Sequence, residues 1–179
     1  MVLWSVALNG ALGFFDAARA VDFDLNGDIF VAGTLDESDQ ASSFTVCKIL
    51  STGAVKWCST RPGSLNSFLE ARAVQVAVDG NPIAVGIADD PGPVHLSVFL
   101  VEKFDTETGN RIWATEMTGD TPFYHEGHAF ALAPNGDVFA AGSMQNPVTS
   151  QDLTLVKLDG QTGQEDRAWR KVITGTGLR

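Results

Sequence analysis

Arg19, Arg72 and His128 share one address in this chain, because each lies 14 residues before a recurring glycine, Gly33, Gly86 or Gly142. Asp16, Glu70 and Glu126 stand just ahead of them. Three cationic or protonatable groups gathered at one place can bind an anion, a carboxylate or a sugar acid, since a guanidinium offers paired donors to a carboxylate. The same residues can instead close ion pairs with their acidic neighbours, a structural use that adds little stability at a surface. The choice between these depends on the elements that carry the residues.

Other groups fall short of a recognisable reactive centre. Asp22-Phe23-Asp24-Leu25-Asn26-Gly27 opens like a calcium loop, but Gly33 occupies the position of the bidentate glutamate, so the stretch is read as an Asn-Gly hairpin turn. His125 and His128 are three apart and would point to opposite faces of an extended strand; no metal site is assigned to them. His95 is read as a loop residue, and Asp89-Asp90 as part of a solvated outer loop. Cys47 and Cys58 are better placed. If residues 51–54 form a four-residue hairpin loop, Leu50 faces Val55 and Cys47 falls opposite Cys58, at a Cα separation of about 4.5 Å for a non-hydrogen-bonded pair. A disulfide and two packed thiols both fit that position. Their counterparts, Glu102 with Ala114 and Val156 with Arg170, show no need for sulfur in the repeat.

The elements themselves are announced by repetition. Asn26-Gly27-Asp28-Ile29-Phe30-Val31-Ala32-Gly33 returns as Asn135-Gly136-Asp137-Val138-Phe139-Ala140-Ala141-Gly142, with the shorter Asn81-Pro82-Ile83-Ala84-Val85-Gly86 between them. Trp4, Trp57, Trp113 and Trp169 keep the same register, as do Lys48, Lys103 and Lys157. Short runs rich in Val, Ile, Phe and Thr, separated by Gly, Asn, Asp and Pro, predict four strands per unit. They fall at 19–23, 28–34, 44–50 and 55–60, then 72–78, 83–88, 98–104 and 111–117, then 128–133, 137–143, 153–158 and 167–173. Residues 2–7, with Trp4, are expected to be the last strand of an earlier unit, giving thirteen strands. The expected divisions are 1–10 for that strand and 11–62, 63–119 and 120–175 for three blades.

Many of these strands are apolar or small on both faces, which predicts sheets covered on both sides rather than half-exposed ones. Four-stranded antiparallel sheets stacked around an axis are blades of a β-propeller, and the recurrent glycine is expected to let neighbouring blades approach closely. The run VDFDLNGDIFVAGT, followed by FTVCKILSTG, resembles the bacterial β-propeller repeat abbreviated SBBP. The segments STGAVKW, DTETGNRIW and DGQTGQEDRAW resemble the tryptophan-docking motif of quinoprotein propellers, which implies that each tryptophan packs on a neighbouring blade. The expected fold is therefore all-β, an arc of about three blades plus one strand of a preceding blade, within a larger propeller of six to eight blades. On this reading the arc is completed by further propeller blades or by another copy of the chain, and its first strands line the central channel.

Composition bounds the function. The chain has 179 residues, 12 basic against 22 acidic side chains and a net charge of -10, which opposes general attraction to nucleic acid. No apolar run is long enough to predict membrane insertion. The opening is apolar but lacks the basic start of a signal peptide, so the compartment stays open, with a secreted or cell-surface parent protein compatible. No catalytic residue and no cofactor is assigned, since vicinal cysteines and an acidic base with a calcium cluster, which a quinoprotein dehydrogenase would use, are not recognisable. The leading reading is a non-catalytic binding module that recognises protein, peptide or carbohydrate. Its rim loops at 35–43, 89–97 and 143–152 and the channel mouth at Arg19, Arg72 and His128 would make the contact. The alternative is a fragment of a propeller enzyme, a quinoprotein-like oxidoreductase or a hydrolase or lyase, with those three residues binding substrate.

Overall fold

The computed structural model describes residues 4–10, 15–38, 41–63, 67–90, 96–119, 121, 124–148 and 150–174. Thirteen strands and no helix occur among them. The first sheet holds β1 (Ala17–Phe23), β2 (Ile29–Thr34), β3 (Asp36–Ser38), β4 (Ala41–Ile49) and β5 (Val55–Pro62). The second holds β6 (Glu70–Val76), β7 (Pro82–Asp90), β8 (Leu96–Phe104) and β9 (Arg111–Met117), and the third β10 (Glu126–Leu132), β11 (Val138–Asn146), β12 (Ser150–Leu158) and β13 (Lys171–Ile173). Each sheet is an antiparallel meander in chain order, with β3 as a short arm beside β4. The fold is an all-β arc of three propeller blades.

Side-chain oxygens set the turns. Asp24 Oδ1 accepts from the Asn26 and Asp28 amides at 2.9 and 3.0 Å, and Asn135 Oδ1 accepts from Asp137 at 3.3 Å. Between the third and fourth strands, Asp105 Oδ1 accepts from Thr108 N at 2.8 Å, and Asp159 Oδ1 from Thr162 N at 2.8 Å. Such local bonds fix a turn because they satisfy amides that the ladder has released.

Alternation along each strand then feeds two cores. Phe30, Phe44 and Val46 of the first blade meet Val98, Leu100 and Phe104 of the second, while Phe99 and Val101 on the reverse of that second blade meet Phe130, Val138 and Val156 of the third. A fully buried Leu or Phe contributes about 1.5–3 kcal/mol, so these two seams hold the blades together. β1 packs on β6 and β6 on β10, which makes the first strands the inner wall of the arc.

Polar fastenings cross the outer part of each seam. Trp57 Nε1 donates to the Thr106 carbonyl at 3.1 Å, and Trp113 Nε1 to the Gly160 carbonyl at 3.4 Å, each in the next blade. The repeated lysines reach the same turns: Lys48 Nζ lies 3.2 Å from Thr106 Oγ1 and Lys103 Nζ 2.8 Å from Gly160 O. Within their own blades they pair with Asp28 at 3.1 Å and Asp79 at 2.7 Å. Gly109 receives the Trp57 ring; its φ of +74° and the 2.7 Å that would separate an added Cβ from Trp57 Cδ2 both exclude a side chain there.

Several expectations are corrected. Residues 4–10 form no strand, because no neighbouring strand among the described residues offers them a ladder, although Trp4 stacks on Gly53. The thirteenth strand is β3 instead. The second and third strands of blades two and three run further than expected, so the segments expected as long rim loops are largely hairpin, with Asp89 opposite Ser97 and Asn146 opposite Ser150. Trp169 lies in a turn rather than a strand. Gly163 and Trp169 are separated by two residues more than Gly109 and Trp113, and the extra length loops out, with Trp169 N bonded to Asp166 O at 3.0 Å. Residues 2 and 3, His95 and the 91–95 part of the second rim loop lie outside the described residues.

His125 anchors the connection into the third blade. It is fully buried; Nδ1 accepts from Gln145 N at 3.1 Å and Nε2–H donates to Thr121 O at 2.8 Å. Burial, followed by the charge of Arg170, lowers its pKa against the opposing Thr121 bond. The imidazole is therefore neutral when folded, whereas the unfolded chain takes up a proton near the ordinary value of 6.5. Stability is complete above pH 6.5 and falls as pH drops below it. Denaturant midpoints recorded between pH 7 and pH 5 should decline, and His125→Gln, itself costing about 1–3 kcal/mol for the lost bonds, should flatten that decline. A second comparison isolates the tryptophan seat: Gly80→Ala, with φ of +82° and open space around it, should cost about 1–2 kcal/mol. Gly109→Ala should cost about 2–5 kcal/mol by the same unfolding measurement.

Candidate functional site

The site starts from an irregularity in the first strands. Pairing of β1 with β2 skips a residue between Ala18 and Ala20, β6 with β7 between Ala71 and Ala73, and β10 with β11 between Gly127 and Ala129. The skipped residues are Arg19, Arg72 and His128. A bulge leaves one residue unpaired and re-aims its side chain. The recurrent glycines are part of the same device: a Cβ on Gly33, Gly86 or Gly142 would collide with the carbonyl oxygen of Ala17, Glu70 or Glu126, in the strand just before each bulge. The close approach expected between blades is therefore made chiefly within each blade, because the bulge tips that carbonyl toward the second strand.

The re-aimed side chains meet across the blade junctions. Arg19 Nε donates to Glu70 Oε1 of the second blade. Glu70 Oε2 accepts from Arg72 Nε at 3.0 Å, and Arg72 Nη1 reaches Glu126 Oε2 of the third blade at 2.6 Å. Arg72 Nη1 also lies 2.9 Å from His128 Nδ1; a guanidinium can only donate, so Nδ1 accepts and the ring proton sits on Nε2. The result is one ladder across three blades, Arg19–Glu70–Arg72–Glu126–His128, whose charges alternate from Arg19 to Glu126 and which ends on the His128 imidazole. Glu70 is almost wholly buried, whereas the end groups are open, with 40% of the Arg19 and 51% of the His128 side chain exposed.

Asp16 is not in the ladder. Its carboxylate accepts from the Gly10 and Asp36 amides at 3.0 Å each, and the position equivalent to Glu70 and Glu126 is Ala17. Each ladder cation already holds a carboxylate, so a small anion would have to displace one, whereas a partner surface with the opposite alternation could add to the row without breaking it. The register places the ladder at the same end of the blades as the β7–β8 and β11–β12 hairpin connections, since Ala71 pairs with Gly86 and Gly127 with Gly142.

Cys47 and Cys58 face one another and are bonded, with Cα atoms 4.1 Å apart. The turn differs from the expected one: Ile49 faces Val55, and a bulge after Lys48 restores the opposition of the cysteines. Asp22 and Asp24 are engaged in backbone bonds, Asp22 to Val76 N at 2.7 Å, and no group of three or more metal-binding side chains occurs among the described residues. One constellation went unread in the sequence: Arg61 and Arg111 converge on the buried Glu102 between β5 and β9. Its signal was present in Arg61 and Glu102, charged residues at repeat positions that are apolar in the neighbouring units.

No family model matches the sequence. The chain is similar to the outer membrane protein assembly factor BamB of Yersinia pestis, at 34% identity over 79 residues. Those residues are 44% of this chain and 19% of that protein, so the chain spans about a fifth of the length of the curated relative it matches. That relative is itself a β-propeller, in agreement with the three antiparallel four-stranded blades described above.

Proposed function

We propose that this chain is part of a propeller that works as a non-catalytic binding module for another polypeptide, engaged where the ladder Arg19–Glu70–Arg72–Glu126–His128 meets the hairpin connections. The observation that carries this reading is the placement of the ladder. Alternating charges held by bulges at one rim give a polar, directional row that a complementary protein surface can follow, and such rows favour specificity over raw affinity. The similarity to a protein named as an assembly factor supports a protein partner over a carbohydrate one.

The repeat is read as SBBP-like and tryptophan-docked, a reading supported by the stacking of Trp4, Trp57 and Trp113 on Gly53, Gly109 and Gly163. On that reading the blades are a rigid scaffold and the rim carries recognition.

Site-directed photo-crosslinking in cells of the source organism tests the proposal. A crosslinking residue at Val148, at the exposed tip of the β11–β12 hairpin, should give a polypeptide adduct of defined mass, while one at Val55, at the far end of the outer strand β5, should not. Arg72→Ala should reduce the adduct several-fold, and raising the salt concentration should weaken it. Equal adducts at both positions, or an adduct indifferent to Arg72, would remove the rim from consideration.

A further inference from the structure

Between the outer strands of the first and second blades lies a groove of about 610 Å³, separate from the ladder on the inner wall. Its floor is Glu102, which is 2% exposed. A single oxygen of this carboxylate, Oε1, accepts from Arg61 Nη1 at 3.1 Å and from Arg111 Nη1 at 3.0 Å, so two guanidiniums from neighbouring blades are anchored side by side. Arg61 Nη2 also donates to Glu116, a carboxylate that is 41% exposed. Ser59, Thr60 and Asn110 supply further polar lining.

The fold does not require this cluster. The residue four after the tryptophan is Arg61 in the first blade and Met117 in the second, and the residue before the lysine is Glu102 in the second blade and Val156 in the third. Thus the second junction is closed by Met117 and Val156, both buried, at the positions where the first junction has Arg61 and Glu102. A buried ion pair is often no more stabilising than a well-packed apolar pair of similar volume, so stability alone does not explain the substitution.

We infer that this groove is a carboxylate-binding site, in which Arg61 and Arg111, fixed on Glu102, together take a ligand carboxylate that displaces Glu116. Glu116 shows the chemistry the outward edge of Arg61 accepts. Its bridge is partly exposed, and solvent-screened pairs of that kind are weak, so an incoming group can replace it. With Glu116 turned away, two guanidiniums against one carboxylate leave a local positive charge in a chain whose net charge is -10. The ligand carboxylate can come from a polypeptide terminus or from a uronic acid.

Both sources can be tested on the intact chain by following the guanidinium Nε–H signals of Arg61 and Arg111 by NMR, using N-acetylalanine and glucuronate as separate probes. Saturable shifts of both arginines are expected with one probe or the other, and the better probe identifies the source. Glu116→Gln should tighten binding about two- to five-fold by removing the competitor. Arg111→Gln, at a half-exposed residue whose loss leaves Arg61 on Glu102, should weaken binding about ten-fold or more while the backbone spectrum is retained. Absence of saturation with either probe up to about 50 mM, in both the native chain and Glu116→Gln, would overturn the site. So would shifts that chloride reproduces at equal ionic strength.

Discussion

A sheet that is apolar on both faces must be covered on both, and the rest of this chain answers to that requirement. The second blade meets it fully: Val98, Leu100 and Phe104 are sealed by the first blade, Phe99 and Val101 by the third. Because the covering element is another blade of the same kind, a contact solved once can be reused. Trp57 and Lys48 close on the turn at Thr106 as Trp113 and Lys103 close on the turn at Gly160. Hydrophobic burial supplies the attraction between blades, and these polar contacts fix their register.

Charge is then distributed by depth. At the inner wall the bulged residues form a continuous row spanning all three blades, while at the outer wall a buried carboxylate holds two arginines in a single junction. Neither arrangement is demanded by packing. Both place long, donor-rich side chains where backbone geometry holds them still, and that preorganisation is what a recognition surface needs in order to bind without a large ordering cost.

Much of the architecture was legible because glycine, tryptophan and lysine recur at nearly constant intervals, and a periodic sequence constrains a periodic fold. The site was only half legible. The common offset of Arg19, Arg72 and His128 from their glycines was visible, but the bulge was not, since an extra residue within a strand leaves no mark in composition. Pairing was misjudged for Arg19: its neighbour Asp16 lies one position off the repeat, and the carboxylate it reaches, Glu70, is 51 residues away in the next blade. The two additional residues before Trp169 were countable, yet their effect on β13 depended on local bonds at Asp166 that only the three-dimensional arrangement reveals. The opposition of Cys47 and Cys58 was read through the wrong turn, and a compensating bulge produced the same facing pair.

The bulge has an implication for change as well as for structure. Along the first strands the side chains that do enter a core, such as Val74 and Phe130, cannot be replaced without disturbing one seam or the other. The bulged residue is committed to neither, and arginine and histidine both occupy it without altering the hydrogen-bond register on either side. Each blade thus carries an interchangeable slot at the inner wall, insulated from the core by its own backbone. Variation confined to those slots would retune the inner wall of the arc while the scaffold stays constant, so the slots can change chemistry without a change of fold.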